Sequence, residues 1–217
     1  MYEKVKTIYL DYDGTLHNSI KVYAPAFRKA YKFLVSRGAA PERRWIDQEI
    51  SYWLGFSSQA MWEKFMPNLN IDLRQQASSL IGSEMGELIQ AGKSILYEGA
   101  IETLTYLKAK GYRLVFISNC SKAYRDAARD TYQLMDFFDE MICSEDYDYV
   151  PKYEILELIK ENYQPDGLMI GDRYQDIEAG HKNNMLTIGC NYGFCAEGEL
   201  DLANHRISDI TELTDLL

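Results

Sequence analysis

Residues 5–16 read Val5-Lys6-Thr7-Ile8-Tyr9-Leu10-Asp11-Tyr12-Asp13-Gly14-Thr15-Leu16. Val5 to Leu10 is a short apolar run rich in β-branched residues. It breaks off abruptly at Asp-Tyr-Asp-Gly, which marks a buried strand running into a polar turn. From Tyr97 onward the same kind of run recurs at intervals. A helical pattern over 99–110 ends at Gly111 and precedes the strand Arg113–Ser118. Helices over 122–134, 151–162 and 174–183 precede the strands Glu140–Ser144, Gly167–Gly171 and Leu186–Cys190. Strands that alternate with helices build a mainly parallel sheet covered on both faces. The near-continuous apolar runs LVFIS and LMIGD fit strands buried on both sides. The tail, Asp201–Leu217, adds a short strand near Arg206–Ser208 and a last helical turn.

Between the first strand and Tyr97 the character changes. Helical patterns lie near 22–37, 43–54, 57–66 and 71–91, separated by Gly38-Ala-Ala-Pro41, Gly55 and Pro67-Asn68, with no strand among them. Trp45, Tyr52, Trp53, Trp62 and Phe65 recur at helical spacings, so most of them are expected to pack inside this block. The fold class is therefore α/β: a doubly wound, mainly parallel sheet with an inserted all-helical domain. The core domain takes residues 1–16 and 95–217, and the insertion takes 17–94.

The chain has 217 residues, 47% hydrophobic and 26% charged, enough to bury a core without staples and unlike a disordered or fibrous chain. Its formal charge of −10 disfavours non-specific contact with nucleic acid or an anionic membrane surface. An anionic small substrate stays admissible, because a bound cation reverses the field locally. No stretch approaches the ~20 apolar residues of a membrane span. The start, Met1 to Lys6, is polar and charged, so no signal peptide is expected. Cys120, Cys143, Cys190 and Cys195 form no Cys-x-x-Cys pair and the histidines are scattered, which argues against a zinc cluster. Reduced thiols and a cytoplasmic location are expected. The oligomeric state is open, a monomer being compatible with the sequence.

In an open parallel sheet, ligands sit outside the carboxyl ends of the strands. After the first strand stand Asp11 and Asp13; after the second, Ser118 and Asn119. Lys152 follows the third, beside Pro151, and Asp172 and Asp176 follow the fourth. Carboxylates that converge repel one another unless a cation sits among them. Oxygen donors without sulfur or imidazole suit magnesium. A hydroxyl, an amide and a lysine offer the hydrogen bonds and charge that a phosphoryl group needs, and one carboxylate is left to attack. These residues together point to magnesium-assisted phosphoryl transfer.

Asp11-Tyr-Asp-Gly-Thr-Leu, Ser118-Asn119, Lys152 and Gly171-Asp172-x-x-x-Asp176, in that order, resemble the four motifs of the haloacid dehalogenase superfamily. The helical insertion resembles the C1-type cap of its phosphoglycolate phosphatase-like hydrolases. That resemblance implies a magnesium-dependent phosphatase acting on a small phosphate ester through an aspartyl-phosphate. It implies Asp11 as nucleophile and metal ligand, and Asp13 as general acid, then base, and metal ligand through its backbone carbonyl. Ser118 and Asn119 would stand at the phosphoryl group. Lys152 would offset the charge, Asp172 would ligate magnesium, and Asp176 would sit beside it. Gly55, in the loop between two cap helices, would read the leaving group. That loop holds no Arg or Lys, so a strongly anionic leaving group finds no evident partner there; Lys64 or Arg28 would have to supply one.

The sequence departs from the family pattern in places. The third motif reads Pro151-Lys152 rather than Lys-Pro. Related phosphomutases carry a histidine twelve positions after the nucleophile, where this chain has Tyr23, which argues against a mutase; the alternative to hydrolysis is a phosphotransferase or phosphomutase on the same scaffold. Dehalogenating relatives lack the second aspartate. A receiver-like signalling module has no cap and pairs adjacent acids. His17 reads as a polar loop residue in the hinge to the cap, and Arg173 as a residue near the site with a surface role at least as well supported.

Overall fold

The computed structural model describes residues 2–163 and 166–217. Its elements run β1 (Thr7–Leu10), α1 (Ile20–Ser36), α2 (Asp47–Ser51), α3 (Ser58–Phe65), α4 (Ile71–Gln90), α5 (Ala100–Ala109), β2 (Arg113–Ser118) and α6 (Lys122–Tyr132). They continue with β3 (Glu140–Cys143), α7 (Lys152–Ile159), β4 (Gly167–Gly171), α8 (Tyr174–Lys182), β5 (Leu186–Cys190), β6 (His205–Ile207) and α9 (Leu213–Leu216). The strands form one parallel sheet in the order β3-β2-β1-β4-β5-β6. Strand order reverses between β1 and β4, so the crevice at their carboxyl ends is where an α/β sheet places its ligand.

Burial on both faces explains the continuous apolar runs. Ile8 and Leu10 of β1, with Leu114 and Phe116 of β2, point into the larger cluster, which α5 and α9 cover. Tyr9, Val115, Ile117 and Met169 point the other way, against Ile155, Leu156 and Ile159 of α7 and Ala179 of α8. A charge at any of these positions would have no water and no partner.

The block between β1 and β2 contains helices and no strand, as expected. α1 lies along α4, and α4 reaches down to α6 of the α/β layer. Two chain segments carry the block. They are tied together where the Asn18 N–H donates to the Ile95 carbonyl and the Tyr97 N–H to the Leu16 carbonyl, each at 2.9 Å. Trp62 is fully buried and Phe65 meets Trp45, Trp53 and Phe27 ring to ring.

Two details differ from the sequence reading. The helix read over 43–54 is only α2, because residues 42–46 run without helical structure around Trp45, whose carbonyl accepts from the Arg28 guanidinium at 3.1 Å. Tyr52 is 46% exposed and so lies outside the aromatic core. Among the described residues, no helix is long and apolar enough to cross a membrane.

Candidate active site

β1 ends at Leu10, and the Asp11 N–H still donates to the Ile170 carbonyl of β4 at 2.9 Å. Asp11 is thereby pinned at the reversal point. β4 ends at Gly171, so Asp172 emerges alongside, and Asp176 follows in the first turn of α8. Asp11, Asp172 and Asp176 are all buried, each offering an oxygen within 4.8 Å of the others'. Pro151 precedes α7 and sends Lys152, its first residue, inward. The Lys152 ammonium donates to Asp11 Oδ1 at 2.7 Å and to Asp176 Oδ1 at 2.5 Å. The other oxygen of Asp176 accepts the Arg173 N–H at 3.0 Å, an acidic residue capping its own helix.

Burial pushes the Asp11 carboxyl up to about 7, with Lys152 opposing and Asp176 adding to the rise. Burial raises Asp172 well above the ordinary carboxylate range, and Asp11 and Asp176 add to it. Burial also works against the Lys152 ammonium, but Asp11 and Asp176 outweigh it and hold it protonated. One lysine facing three acids leaves the cluster two positive charges short. Asp172 Oδ2 accepts the Phe194 N–H at 2.5 Å, while its buried Oδ1 has no partner. A buried carboxylate oxygen without a donor is costly. An oxygen-only donor set around such an orphan fits a small hard cation.

Gly14 makes this convergence feasible. It sits at φ +86°, and a Cβ there would lie 2.1 Å from Asp172 Oδ2. The turn between Asp13 and Thr15 therefore needs glycine both for its left-handed backbone and for contact with the cluster.

Asp13 faces a different set of groups. Its Oδ1 accepts from the Ser19 hydroxyl and from the Tyr124 hydroxyl, the latter at 2.7 Å. His17 is fully buried rather than a loop residue in water. Its Nδ1 is 3.0 Å from the Tyr124 oxygen and its Nε2 is 2.7 Å from Ser94 Oγ, which accepts from the Tyr132 hydroxyl at 2.6 Å. Because the Tyr124 O–H goes to Asp13, the Tyr124 oxygen accepts from His17, so Nδ1 carries a proton. Tyr12 stacks on the imidazole, with ring centroids 4.9 Å apart.

Ser118 is buried at the end of β2, and Asn119 follows it. The Asn119 amide donates to the Gly55 carbonyl at 2.9 Å, joining the loop after α2 to the sheet edge. Arg173 makes a second junction. It is 1% exposed, against the surface role considered from sequence. Its guanidinium donates to Glu199 at 2.8 and 3.1 Å, to the Tyr52 carbonyl at 3.2 Å and to the Leu54 carbonyl. Gly55 presses on this side chain at φ +87°, where a Cβ would stand 2.7 Å from Arg173 Cγ. Lys64 and Arg28 stay away from the cluster: Lys64 caps the Phe56 ring, and Arg28 pairs with Asp47. Sequence reasoning missed Ser19, Tyr124 and the part played by His17, none of which any motif marks.

The sequence profile of haloacid dehalogenase-like hydrolases matches residues 5–184. The chain belongs to that family. Among relatives of this hydrolase, a phosphoglycolate phosphatase of Psychrobacter arcticus is 27% identical, covering 95% of this chain and 93% of its own. The pyrophosphatase PpaX of Bacillus mycoides is 22% identical over 87% of this chain and 85% of its own. A crystal structure of a predicted phosphoglycolate phosphatase from Haemophilus somnus superposes with a TM-score of 0.80 at 23% identity, covering 98% of this chain and 97% of that one. CbbY from Rhodobacter sphaeroides, solved in complex with phosphate, superposes with a TM-score of 0.78 at 17% identity, covering 96% of both chains. These structures share the fold of this hydrolase.

Proposed function

We propose that this hydrolase is a magnesium-dependent phosphatase that cleaves a small phosphate monoester through an aspartyl-phosphate on Asp11. The observation that carries the reading is the split between Asp11, inside the charged cluster with Lys152 at 2.7 Å, and Asp13, held by neutral donors two residues away. Asp11, Asp172 and Asp176, with the Asp13 backbone carbonyl, would hold the ion. When bound, magnesium supplies charge compensation for the carboxylates and for the phosphoryl oxygens.

The remaining chemistry belongs to the side chains. Asp11 attacks phosphorus as the bond to the leaving oxygen breaks, and Asp13 gives that oxygen a proton. Asp13 then takes a proton from a water that attacks the same phosphorus, and the bond to Asp11 breaks, releasing phosphate. The Ser118 hydroxyl, the Asn119 amide and the Lys152 ammonium hold the phosphoryl oxygens. Residues 17–94 serve as the cap, hinged on the paired segments near Asn18 and Ile95, over a core of 1–16 and 95–217; the Gly55 loop meets the leaving group. The free cysteines suit an enzyme that works in the cytoplasm.

The test is single-turnover labelling with an activated ester, read by intact-protein and peptide mass spectrometry. Asp13→Asn should accumulate hydroxylamine-sensitive phosphate on Asp11, because the first step needs no proton for an activated leaving group and the second stalls. Asp11→Asn should form none. Phosphate found on Asp13, or on neither residue, refutes the assignment.

A further inference from the structure

Above the carboxylates, the crevice opens into a cavity of about 360 Å³ between the helical block and the sheet edge. Asp13, Asn119 and Tyr124 form its floor. Aromatic side chains from distant parts of the chain form much of its wall: Tyr23 of α1, Trp53 and Phe56 around the Gly55 loop, and Tyr149. Met61, Ile81 and Met85 close the apolar side, and the hydroxyls of Ser58 and Ser78 stand at the helical end. Tyr149 has φ +58°, directly after Asp148 at φ +52°. Two successive left-handed residues without glycine are costly, and such backbone is kept where the surroundings or a function require it.

The charge balance of this cavity is the deciding feature. No Arg, Lys or His is among its lining residues, and Asp13 is the sole carboxylate. Two cations flank the Phe56 ring from outside the lining. Arg173 is neutralised by Glu199 and spends its remaining donors on backbone carbonyls. Lys64 is exposed and lies 5.0 Å from the centroid of the Phe56 ring. A carboxylate or second phosphate in the leaving group would be stripped of water beside Asp13 with no counter-charge, which is strongly unfavourable. A flat uncharged ring loses little on leaving water and gains contact with the aromatic faces. The volume lies in the range of small-molecule sites and exceeds what a two-carbon acid needs.

We infer that the leaving group is an uncharged alcohol bearing a flat or apolar ring, of the size of a nucleoside, and that phosphoglycolate and pyrophosphate are poor substrates. This rests on the phosphatase reading and narrows it. The substrates named for two relatives therefore do not transfer: the anionic remainder of either one finds no cation among the residues that line this cavity.

The experiment compares kcat/KM for thymidine 5′-monophosphate and 2-phenylethyl phosphate with phosphoglycolate, pyrophosphate and glycerol phosphate, with magnesium present. Acetyl phosphate, small and activated, serves as the control that needs no such cavity. The ring esters should lead by at least tenfold. Acetyl phosphate turnover with phosphoglycolate, pyrophosphate or glycerol phosphate ahead of both ring esters overturns the inference and leaves the phosphatase reading standing. No turnover of any ester, acetyl phosphate included, overturns the phosphatase reading itself. Ser78→Arg, which adds a guanidinium to the cavity from a half-exposed position, should shift the ratio of phosphoglycolate to ring ester at least fivefold toward phosphoglycolate. An unchanged ratio in a variant with native circular dichroism also overturns the inference.

Discussion

Stripping the metal and varying pH tests the carboxylate cluster directly. Asp11 has its pKa raised from 3.8 to about 7 in the folded, metal-free protein. A raised folded value means that the favourable, protonated form is fully present below pH 3.8 and is lost as pH rises through 7. The metal-free protein should therefore lose stability across pH 4–8. Magnesium must displace that proton, so its contribution runs the opposite way. At pH 8 and a hundredfold excess over its dissociation constant, the ion adds about 2.7 kcal/mol. For a chain of this length each kcal/mol moves Tm by about 2–4 °C, so the gain is about 5–11 °C. At pH 5, two units below the Asp11 value, proton competition weakens binding about a hundredfold. The same magnesium concentration then adds about 0.4 kcal/mol, or about 1–2 °C. Thermal melts with magnesium and with EDTA, at matched ionic strength, read both numbers. Asp172→Asn should cut the pH 8 gain below about 2 °C. Equal gains at pH 5 and pH 8, or no gain at pH 8, refute the reasoning.

Three further outcomes follow from the contacts around the cluster. Arg173→Met leaves Glu199 and two carbonyls without their donor and should cost about 3 kcal/mol in urea denaturation, the lower end for a broken buried pair because Glu199 keeps some water. A loss under 1 kcal/mol would show that the junction to the Leu54 loop is incidental. Tyr124→Phe removes the donor to Asp13 and should lower kcat about tenfold to a hundredfold, the value of a hydrogen bond to a charged group; unchanged kcat across pH 5–9 would remove Tyr124 from the acid-base machinery. Gly55→Ala meets both a left-handed φ and Arg173 Cγ, and should cost about 1–3 kcal/mol of stability while changing KM for bulky esters more than for acetyl phosphate. Equal KM changes on every ester would make Gly55 a plain turn residue.

Much of the fold was legible because burial on two faces leaves a strong trace. Arg113–Ser118, Gly167–Gly171 and Leu186–Cys190 are strands over the very residues read from their apolar runs and flanking turns. Residues 42–46 misled because Trp45 sits at helical spacing from its aromatic neighbours, yet it reaches them from non-helical backbone, with Arg43 stacked on its outer face at 3.8 Å. The acids and the lysine were legible because a parallel sheet gathers every strand's carboxyl end at one edge. His17 and Arg173 were not. Their surroundings come from Tyr124, 107 positions from His17, and from Leu54, 119 positions from Arg173, pairings that no local pattern announces.

Asp11 and Asp13 lie on one turn, yet the fold gives them opposite partners, and that difference supports the division of roles proposed for them. Asp11 faces a fixed cation, so a proton on it would compete with an ion pair. Asp13 Oδ1 accepts from two hydroxyls, with His17 Nδ1 3.5 Å away. No donor among the described residues meets Oδ2, and Asp13 lines the leaving-group cavity. A carboxyl group held by one oxygen keeps its orientation while the other gains or gives a proton. That is what a residue serving as acid in one step and base in the next requires. The chain Tyr132–Ser94–His17–Tyr124 holds the Tyr124 hydroxyl on that oxygen. Tyr124→Phe frees the carboxyl to turn, so it should act on kcat and leave the charge-driven pH dependence of Asp11 in place.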